Sequence, residues 1–182
     1  PADQGFKNTD GDWRLKPDDR LPWMTQYEPG HGLALSLLDL YRQDPNHVAA
    51  NVVLVDWGNF SGSGPDYLKT ASDHVPAVGQ AIADYLQSHQ VDPSTTTLIG
   101  HSLGGHIAGF AGQAVQKMAT EGLFPEGTKL ERIIGMDAAG PLFNARGPSS
   151  RLSPNDATDV FDLHTSDSFG FDAPLAEYDL YV

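Results

Sequence analysis

The stretch TTTLIGHSLGGHIAGFAG, residues 95–112, decides the fold of this chain. It begins with an apolar run, passes through a serine placed between glycines, and continues with small residues in a helical pattern. Buried parallel strands read as continuous apolar runs, whereas helices repeat their apolar positions every three to four residues. The stretch therefore predicts a strand at 95–100, a sharp turn at Ser102 and a helix at 105–119.

The same two patterns alternate along the rest of the chain. Helices are predicted over 31–43 and from about Val75 to His89, with Pro76 in the first turn of the second helix. That helix has an apolar face made of Val75, Val78, Ile82 and Leu86. Strands are predicted at 51–57, 130–138 and 157–165, and residues 177–182 alternate like another strand. This order predicts an α/β fold, with a mostly parallel sheet covered by helices on both faces.

Length and composition narrow the class of protein. The 182 residues suffice for a single domain, residues 1–182, with a substantial core, and the net charge of −13 argues against a nucleic-acid partner. No apolar run is long enough for a transmembrane segment, and the absence of cysteine leaves the cellular compartment open. The chain begins at Pro1 and stops within a strand-like alternation, so we expect a fragment truncated at both ends.

The pentapeptide Gly100-His101-Ser102-Leu103-Gly104 matches the Gly-x-Ser-x-Gly pattern and stands between a predicted strand and a predicted helix. The glycines on each side of the serine let strand and helix pass closely, and the turn lifts the hydroxyl above the sheet edge. We predict that Ser102 is a nucleophile and that the N–H of Leu103 stabilises the resulting oxyanion. The alternative is a glycine-rich turn with a serine that caps the helix.

A nucleophilic serine needs a base and an acidic residue that orients the base. In this architecture the acid follows the next strand, and Asp137 stands there, after "IIGM" and before small residues. Asp156, Asp159 and Asp162 are poorer candidates because they precede or lie within the following strand. An aspartate that merely caps a turn is the alternative for Asp137.

Four blocks in the sequence carry a resemblance to a known family. They are VDWGNFSGSGPDYLKTAS, LIGHSLGGHIAGFAG, GMDAAGPLF and RLSPNDATDVFDLHT, which cover roughly residues 50 to 167. In this order they resemble the pancreatic lipase family, which includes lipoprotein lipases and phospholipases A1. The resemblance implies an α/β-hydrolase core, hydrolysis of glycerolipid esters at a lipid–water interface, secretion, and no required cofactor. It also implies that Ser102 is the nucleophile and Asp137 the acid.

The resemblance implies two further sites. Gln4-Gly5-Phe6 is similar to the family's His-Gly-(Phe or Trp) turn, although glutamine replaces the histidine, so Phe6 is expected to give the second oxyanion-hole N–H. An ordinary loop glycine is the alternative there. Some family members hold a structural calcium ion in a loop that matches Arg151, Ser153, Asn155 and Asp156. These residues offer hard oxygens but a single carboxylate, so a calcium-free loop is the alternative.

The general base is the open question of the sequence. His164 is the only histidine after Asp137, but it lies inside the predicted "FDLHT" strand, where the family has a histidine that is not the base. We therefore expect the base beyond Val182, with His164 as the alternative.

Two functions are compatible with the sequence: an ester hydrolase of the triacylglycerol lipase or phospholipase A1 type, or a non-catalytic lipid-binding relative similar to insect yolk proteins. Ser102 and Asp137 favour the enzyme, and the oligomeric state is left open.

Overall fold

The computed structural model describes residues 36–37, 51–58, 67–166 and 168–182. The chain divides into two compact units, residues 1–57 and 58–182. In the first unit, Ser36 and Leu37 are helical, in agreement with the predicted helix at 31–43. The other residues of that helix, and Phe6, lie outside the described residues.

The prediction of a strand at 51–57 is wrong. These residues form no strand, and Val53 is 44 % exposed, whereas the strands of a parallel sheet are buried on both faces. A β-branched run fits the surface of a sheet but becomes a strand only when a neighbour supplies ladder hydrogen bonds. In the structure residues 51–57 take part in no such ladder.

The second unit contains two α-helices and four β-strands. In chain order they are α1 (Tyr67–Ser88), β1 (Thr97–His101), α2 (Leu103–Thr120), β2 (Leu130–Met136), β3 (Ala157–His164) and β4 (Tyr178–Tyr181). Short 3₁₀ turns occur at Pro93–Thr95 and Pro148–Ser150. The predicted helix at 105–119 and the strands at 95–100, 130–138, 157–165 and 177–182 are thus confirmed, with ends that differ by at most two residues.

The four strands form one sheet in the order β1-β2-β3-β4, and every neighbouring pair is parallel. His101 at the end of β1 pairs with Met136 at the end of β2, which in turn pairs with Leu163 near the end of β3. The carboxyl ends of three strands therefore lie side by side. Residues that follow these ends meet at one edge, where open α/β sheets commonly bind their ligands.

Helix α2 packs on β1 and β2, and α1 packs on α2. The two helices touch closely at Gly79, where an added Cβ would lie 2.6 Å from the Cβ of Phe110. The apolar face predicted for α1 is confirmed, since Val75, Val78, Ile82 and Leu86 are all buried. Coverage of the second face of the sheet stays a prediction.

Helix α1 begins eight residues earlier than predicted, at Tyr67 instead of about Val75. Pro76 therefore lies in the helix interior, where it lacks an N–H for the ladder, and not in the first turn. The buried contacts of the apolar face with α2 outweigh this local cost. Within the described residues, no helix combines the length and apolarity needed to cross a membrane.

Candidate active site

Ser102 occupies the turn between β1 and α2 in a strained backbone conformation, with φ 55° and ψ −120°. A residue with a side chain pays about 1–3 kcal/mol in such a region, so its surroundings have to impose it. Here the N–H of Ser102 donates to the carbonyl oxygen of Met136 at 3.0 Å. The carbonyl oxygen of Ser102 accepts from the N–H groups of Gly105 at 3.1 Å and Ala139 at 3.2 Å. The turn is thus bonded to residues on both sides of Asp137.

The two glycines of the motif are not equivalent. An added Cβ at Gly100 would overlap the carbonyl oxygen of Gly104 and lie 2.7 Å from the nitrogen of Gly105. At Gly104 an added Cβ would meet no atom of the described residues within 4 Å. The expected steric role therefore holds for Gly100, whereas the described part of the structure does not require glycine at Gly104.

The hydroxyl of Ser102 does not cap the helix that follows it. Ser102 is the N-cap residue of α2, but its side chain makes no capping hydrogen bond, so the capping alternative is not what the structure contains. Leu103 is the first residue of α2, and the first N–H groups of a helix have no partner within it. The positive end of the helix and the Leu103 N–H therefore lie beside the serine.

Asp137 directly follows β2 and also has a left-handed backbone, with φ 55°. Its N–H donates to the carbonyl oxygen of Leu163 at 2.7 Å. Its Oδ1 accepts from the N–H groups of Thr165 at 2.9 Å and Ser166 at 3.0 Å. Among the described residues nothing hydrogen-bonds its Oδ2. The side chain is thus fixed through one oxygen, while the other can accept a proton donor such as a histidine ring.

His106 connects the elements that carry these two residues. The ring is fully buried one turn after Ser102, and its Nδ1 accepts from the N–H of Leu152 at 3.1 Å. Nε2 therefore holds the proton and donates to the carbonyl oxygen of Ala139 at 2.7 Å. The ring stacks on Phe143 with 3.9 Å between centroids. Burial, assisted by positive Arg151 and Arg146 nearby, lowers the pKa of His106 to about 4 despite the bond to Ala139.

His164, the alternative base, is engaged elsewhere. Its Nε2 bonds to Oδ1 of Asp179 at 2.7 Å and its Nδ1 to the carbonyl oxygen of Phe171 at 3.2 Å. Neither nitrogen bonds to Ser102 or Asp137. Both ring nitrogens are thus engaged by partners other than Ser102 and Asp137.

Asp162 lies beside this histidine. It is fully buried, and its Oδ2 is 3.6 Å from Nε2 of His164. Burial raises the pKa of Asp162, and the charge of His164 opposes that rise. Within the described residues, Asp162, His164 and Asp179 are the one group whose ligand atoms could together reach a metal ion. The 2.7 Å bond between His164 and Asp179 makes a buried hydrogen-bond network the simpler assignment.

The other carboxylates weighed as acids have partners away from Ser102. Asp159 pairs with Arg132 at 3.0 Å across β2 and β3. Asp162 accepts from the N–H of Ala138 at 3.4 Å and so supports the turn that follows Asp137. Asp156 is buried in the loop before β3, where burial raises its pKa to about 6.

The residues proposed as calcium ligands do lie in that loop. Both oxygens of Asp156 accept bonds from Ser153, whose N–H donates to Oδ2 at 2.8 Å and whose hydroxyl donates to Oδ1 at 3.0 Å. The carbonyl oxygen of Asn155 accepts from Gln116 at 2.9 Å. The Arg151 carbonyl oxygen accepts from Gln113 at 3.1 Å. Calcium stays a prediction at this point.

Two features escaped the sequence analysis: the bridge made by His106 and the bonds made by Gln113. His106 stood in a run of small and apolar residues on α2, which signals a buried ring but not its partners. Gln113 gave no signal, because its partners lie 35 to 43 residues away along the chain.

A serine on a strained turn between a parallel strand and a helix, followed by an aspartate after the next strand, defines an α/β-hydrolase core. Comparison of the sequence identifies the family within that class. The family described as Lipase matches residues 35–182, so this chain belongs to the lipase family.

Curated relatives include lipases of mammals and phospholipases of wasps. Hepatic triacylglycerol lipase of Bos taurus is 39 % identical over 143 residues, which are 73 % of this chain and 26 % of the relative. Phospholipase A1 of Vespa velutina is 38 % identical over 141 residues, 72 % of this chain and 44 % of the relative. The chain thus spans about a quarter of the mammalian relative and under half of the wasp relative.

The unequal roles of the motif glycines can be tested by a matched pair of variants. Gly100→Ala should lower the free energy of unfolding by about 2 kcal/mol or more, because its Cβ would collide with backbone atoms. Gly104→Ala should leave it unchanged or raise it by up to about 1 kcal/mol, because its Cβ meets no described atom and alanine favours helices. Urea unfolding of both variants measures the difference, and equal losses would contradict this account of the turn.

The buried neutral ring of His106 predicts a pH dependence of stability. Its pKa is lowered from 6.5 to about 4 on folding, so the unfolded chain binds a proton that the folded chain refuses. The contribution of the neutral ring to the free energy of unfolding is complete above about pH 6.5 and is lost as the pH falls towards 4. The stability advantage of the wild type over His106→Gln should therefore shrink by about 3 kcal/mol between about pH 7 and pH 4.

The comparison with His106→Gln also removes a competing effect. The raised pKa of Asp156 stabilises the fold as the pH falls, opposite to His106, but both proteins contain Asp156. Its contribution cancels in the difference between the two unfolding free energies. Parallel pH curves for the two proteins would show that His106 titrates alike in the folded and unfolded chains.

Proposed function

We propose that the protein hydrolyses carboxylic esters of glycerolipids through an acyl-enzyme intermediate, with Ser102 as nucleophile. The observation that carries the proposal is the strained turn of Ser102 at the N-terminus of α2, with a hydroxyl that caps nothing. A nucleophilic serine requires a hydroxyl that is held in a fixed position and is not used to cap the helix, and the strained turn meets both requirements. The triacylglycerol lipases and phospholipases A1 among its relatives support the same class of substrate.

In the proposed reaction, Oγ of Ser102 attacks the ester carbonyl carbon while its proton passes to a histidine base. The carbonyl oxygen becomes negative and accepts a hydrogen bond from the Leu103 N–H, with Phe6 proposed as the second donor. The histidine then gives its proton to the leaving alkoxide, and an acyl-serine remains. Water repeats the sequence, releases the fatty acid and restores the hydroxyl of Ser102.

Asp137 is proposed to orient the base through its Oδ2, since Oδ1 is already held by two backbone N–H groups. A carboxylate fixed on one side and open on the other keeps an imidazole in one orientation and stabilises its charged form. The bonds of His164 to Asp179 and Phe171 argue against His164 as the base. We propose a histidine that the described residues do not include.

Two exposed apolar residues on the segments that meet beside Asp137 suit a lipid substrate. Leu142 is 49 % exposed and Phe169 is 70 % exposed. They lie on segments that meet beside the acid, since Gly140 donates to the Phe169 carbonyl oxygen at 2.8 Å. Exposed apolar groups at this edge can contact acyl chains. For the whole protein we propose secretion and a substrate that is either a triacylglycerol or a phospholipid.

The first prediction of this proposal concerns Ser102. A fluorophosphonate probe should label the full-length protein at Ser102, because an activated serine oxygen attacks the phosphorus atom of the probe and displaces fluoride. Labelling should disappear in Ser102→Ala and persist in Ser153→Ala, whose hydroxyl is buried against Asp156. Peptide mass spectrometry locates the adduct. A folded protein that is not labelled at Ser102 would support the non-catalytic lipid-binding alternative.

The second prediction concerns Asp137. Asp137→Asn in the full-length protein should lower kcat for a short-chain ester by about a thousandfold or more, because the base loses its orienting carboxylate. The matched control is Asp159→Asn, whose side chain pairs with Arg132, and its kcat should stay within about threefold of the wild type. Near-normal turnover by folded Asp137→Asn would assign the acid to another carboxylate.

A further inference from the structure

One side-chain nitrogen on α2 lies close to three oxygens of the loop at residues 148–156. Nε2 of Gln113 lies 3.3 Å from the carbonyl oxygen of Pro148 and 3.1 Å from that of Arg151. The same nitrogen lies 3.1 Å from Oδ1 of Asp156. Three loop oxygens therefore converge on a single donor that has two hydrogens to share among them.

The oxygens expected to bind calcium in this loop already accept hydrogen bonds, and the Gln113 nitrogen lies among three oxygens of the loop, where a cation would have to sit. Asp156 supplies the only carboxylate, and Ser153 and Gln113 donate to its two oxygens. The Ser153 hydroxyl directs its hydrogen at Asp156, and the carbonyl oxygen of Asn155 accepts from Gln116. A calcium site needs several hard oxygens that converge on one position with enough negative charge. Here the expected ligands include one carboxylate, and an N–H group lies where the oxygens converge, so the donor set does not fit calcium.

We propose that the amide nitrogen of Gln113 takes the place of a metal ion in this loop, so that the loop is held on α2 without calcium. The amide offers partial positive charge to oxygens that would otherwise require a cation. It also gives the buried carboxylate of Asp156 a donor, which lowers the cost of burying it. The proposal is independent of the catalytic roles assigned to Ser102 and Asp137.

The packing of α2 explains why Gln113 reaches all three oxygens. Gly109, Gly112 and Gln113 share one face of the helix, at spacings of three and four residues. An added Cβ at Gly109 would lie 2.8 Å from Oδ2 of Asp156, and one at Gly112 would overlap the carbonyl oxygen of Asp156. The helix backbone thus lies directly against the loop at the glycines, and the glutamine on the same face extends over it.

Gln113 acts on the candidate active site only through other residues. It fixes the loop that contains Leu152, and the N–H of Leu152 donates to Nδ1 of His106. His106 in turn holds the carbonyl oxygen of Ala139, two residues after Asp137. Gln113 is therefore a positioning residue.

The sharpest test changes the amide of Gln113 to a carboxylate in the full-length protein. Gln113→Glu places a second negative charge against Asp156, so its melting temperature in EDTA should fall by about 5 °C or more. Millimolar calcium chloride should restore it, since two carboxylates and two carbonyl oxygens suit Ca²⁺. The matched control is Gln116→Glu, on the same helix beside the same loop, which should show no calcium dependence. The wild type should melt at the same temperature with calcium and with EDTA.

A second pair of variants covers the case in which Gln113→Glu does not fold. Gln113→Ala should lower the melting temperature more than Gln116→Ala, because only the first leaves the buried carboxylate of Asp156 short of a donor. Calorimetric titration with calcium chloride alone should detect no binding to the wild type. Calcium binding or a calcium-dependent rise in melting temperature of the wild type would overturn the proposal. Equal effects of the two alanine variants would do the same.

Discussion

The buried ring of His106 is the constraint on which the arrangement of this edge depends. One nitrogen holds the turn after Asp137 through Ala139, and the other holds the loop before β3 through Leu152. The ring belongs to α2, one turn after Ser102, so one buried side chain holds together the turn at Ser102, the turn after Asp137 and the loop before β3. A neutral imidazole does this well because it is at once a donor and an acceptor, and its aromatic faces tolerate burial.

The left-handed turns at Ser102 and Asp137 depend on the same mutual support. Each has a φ of 55°, and each is bonded through its backbone to a neighbouring strand or to the residues after it. Ser102 donates to Met136 and Asp137 donates to Leu163, so neither turn keeps its shape unless β1, β2 and β3 are paired in register. The parallel sheet thus sets the conformation of both side chains as well as their positions.

Much of this could be predicted from local patterns in the sequence. The strand–serine–helix stretch, the alternation of elements and the position of Asp137 all depend on short windows, and the structure has those elements in that order. The prediction of a strand at 51–57 was wrong because a strand forms only beside a neighbouring strand, and a short stretch of sequence does not show whether that neighbour is present. The bonds of Gln113 and His106 join residues 33 to 46 positions apart, so only the folded chain brings them together.

The strained backbone of Ser102 also has a consequence for how such proteins diverge. Glycine adopts a φ of 55° and a ψ of −120° without the steric penalty that a side chain incurs. Replacing this serine with glycine would therefore relax the turn and make the fold more stable. Mutation to glycine at this position therefore trades the serine hydroxyl for a more stable protein. A lineage released from selection for hydrolysis would lose this hydroxyl early while keeping the sheet, the helices and the bonds of His106 intact. Under the proposed function, Ser102 is the position at which selection for hydrolysis has to act against a gain in stability.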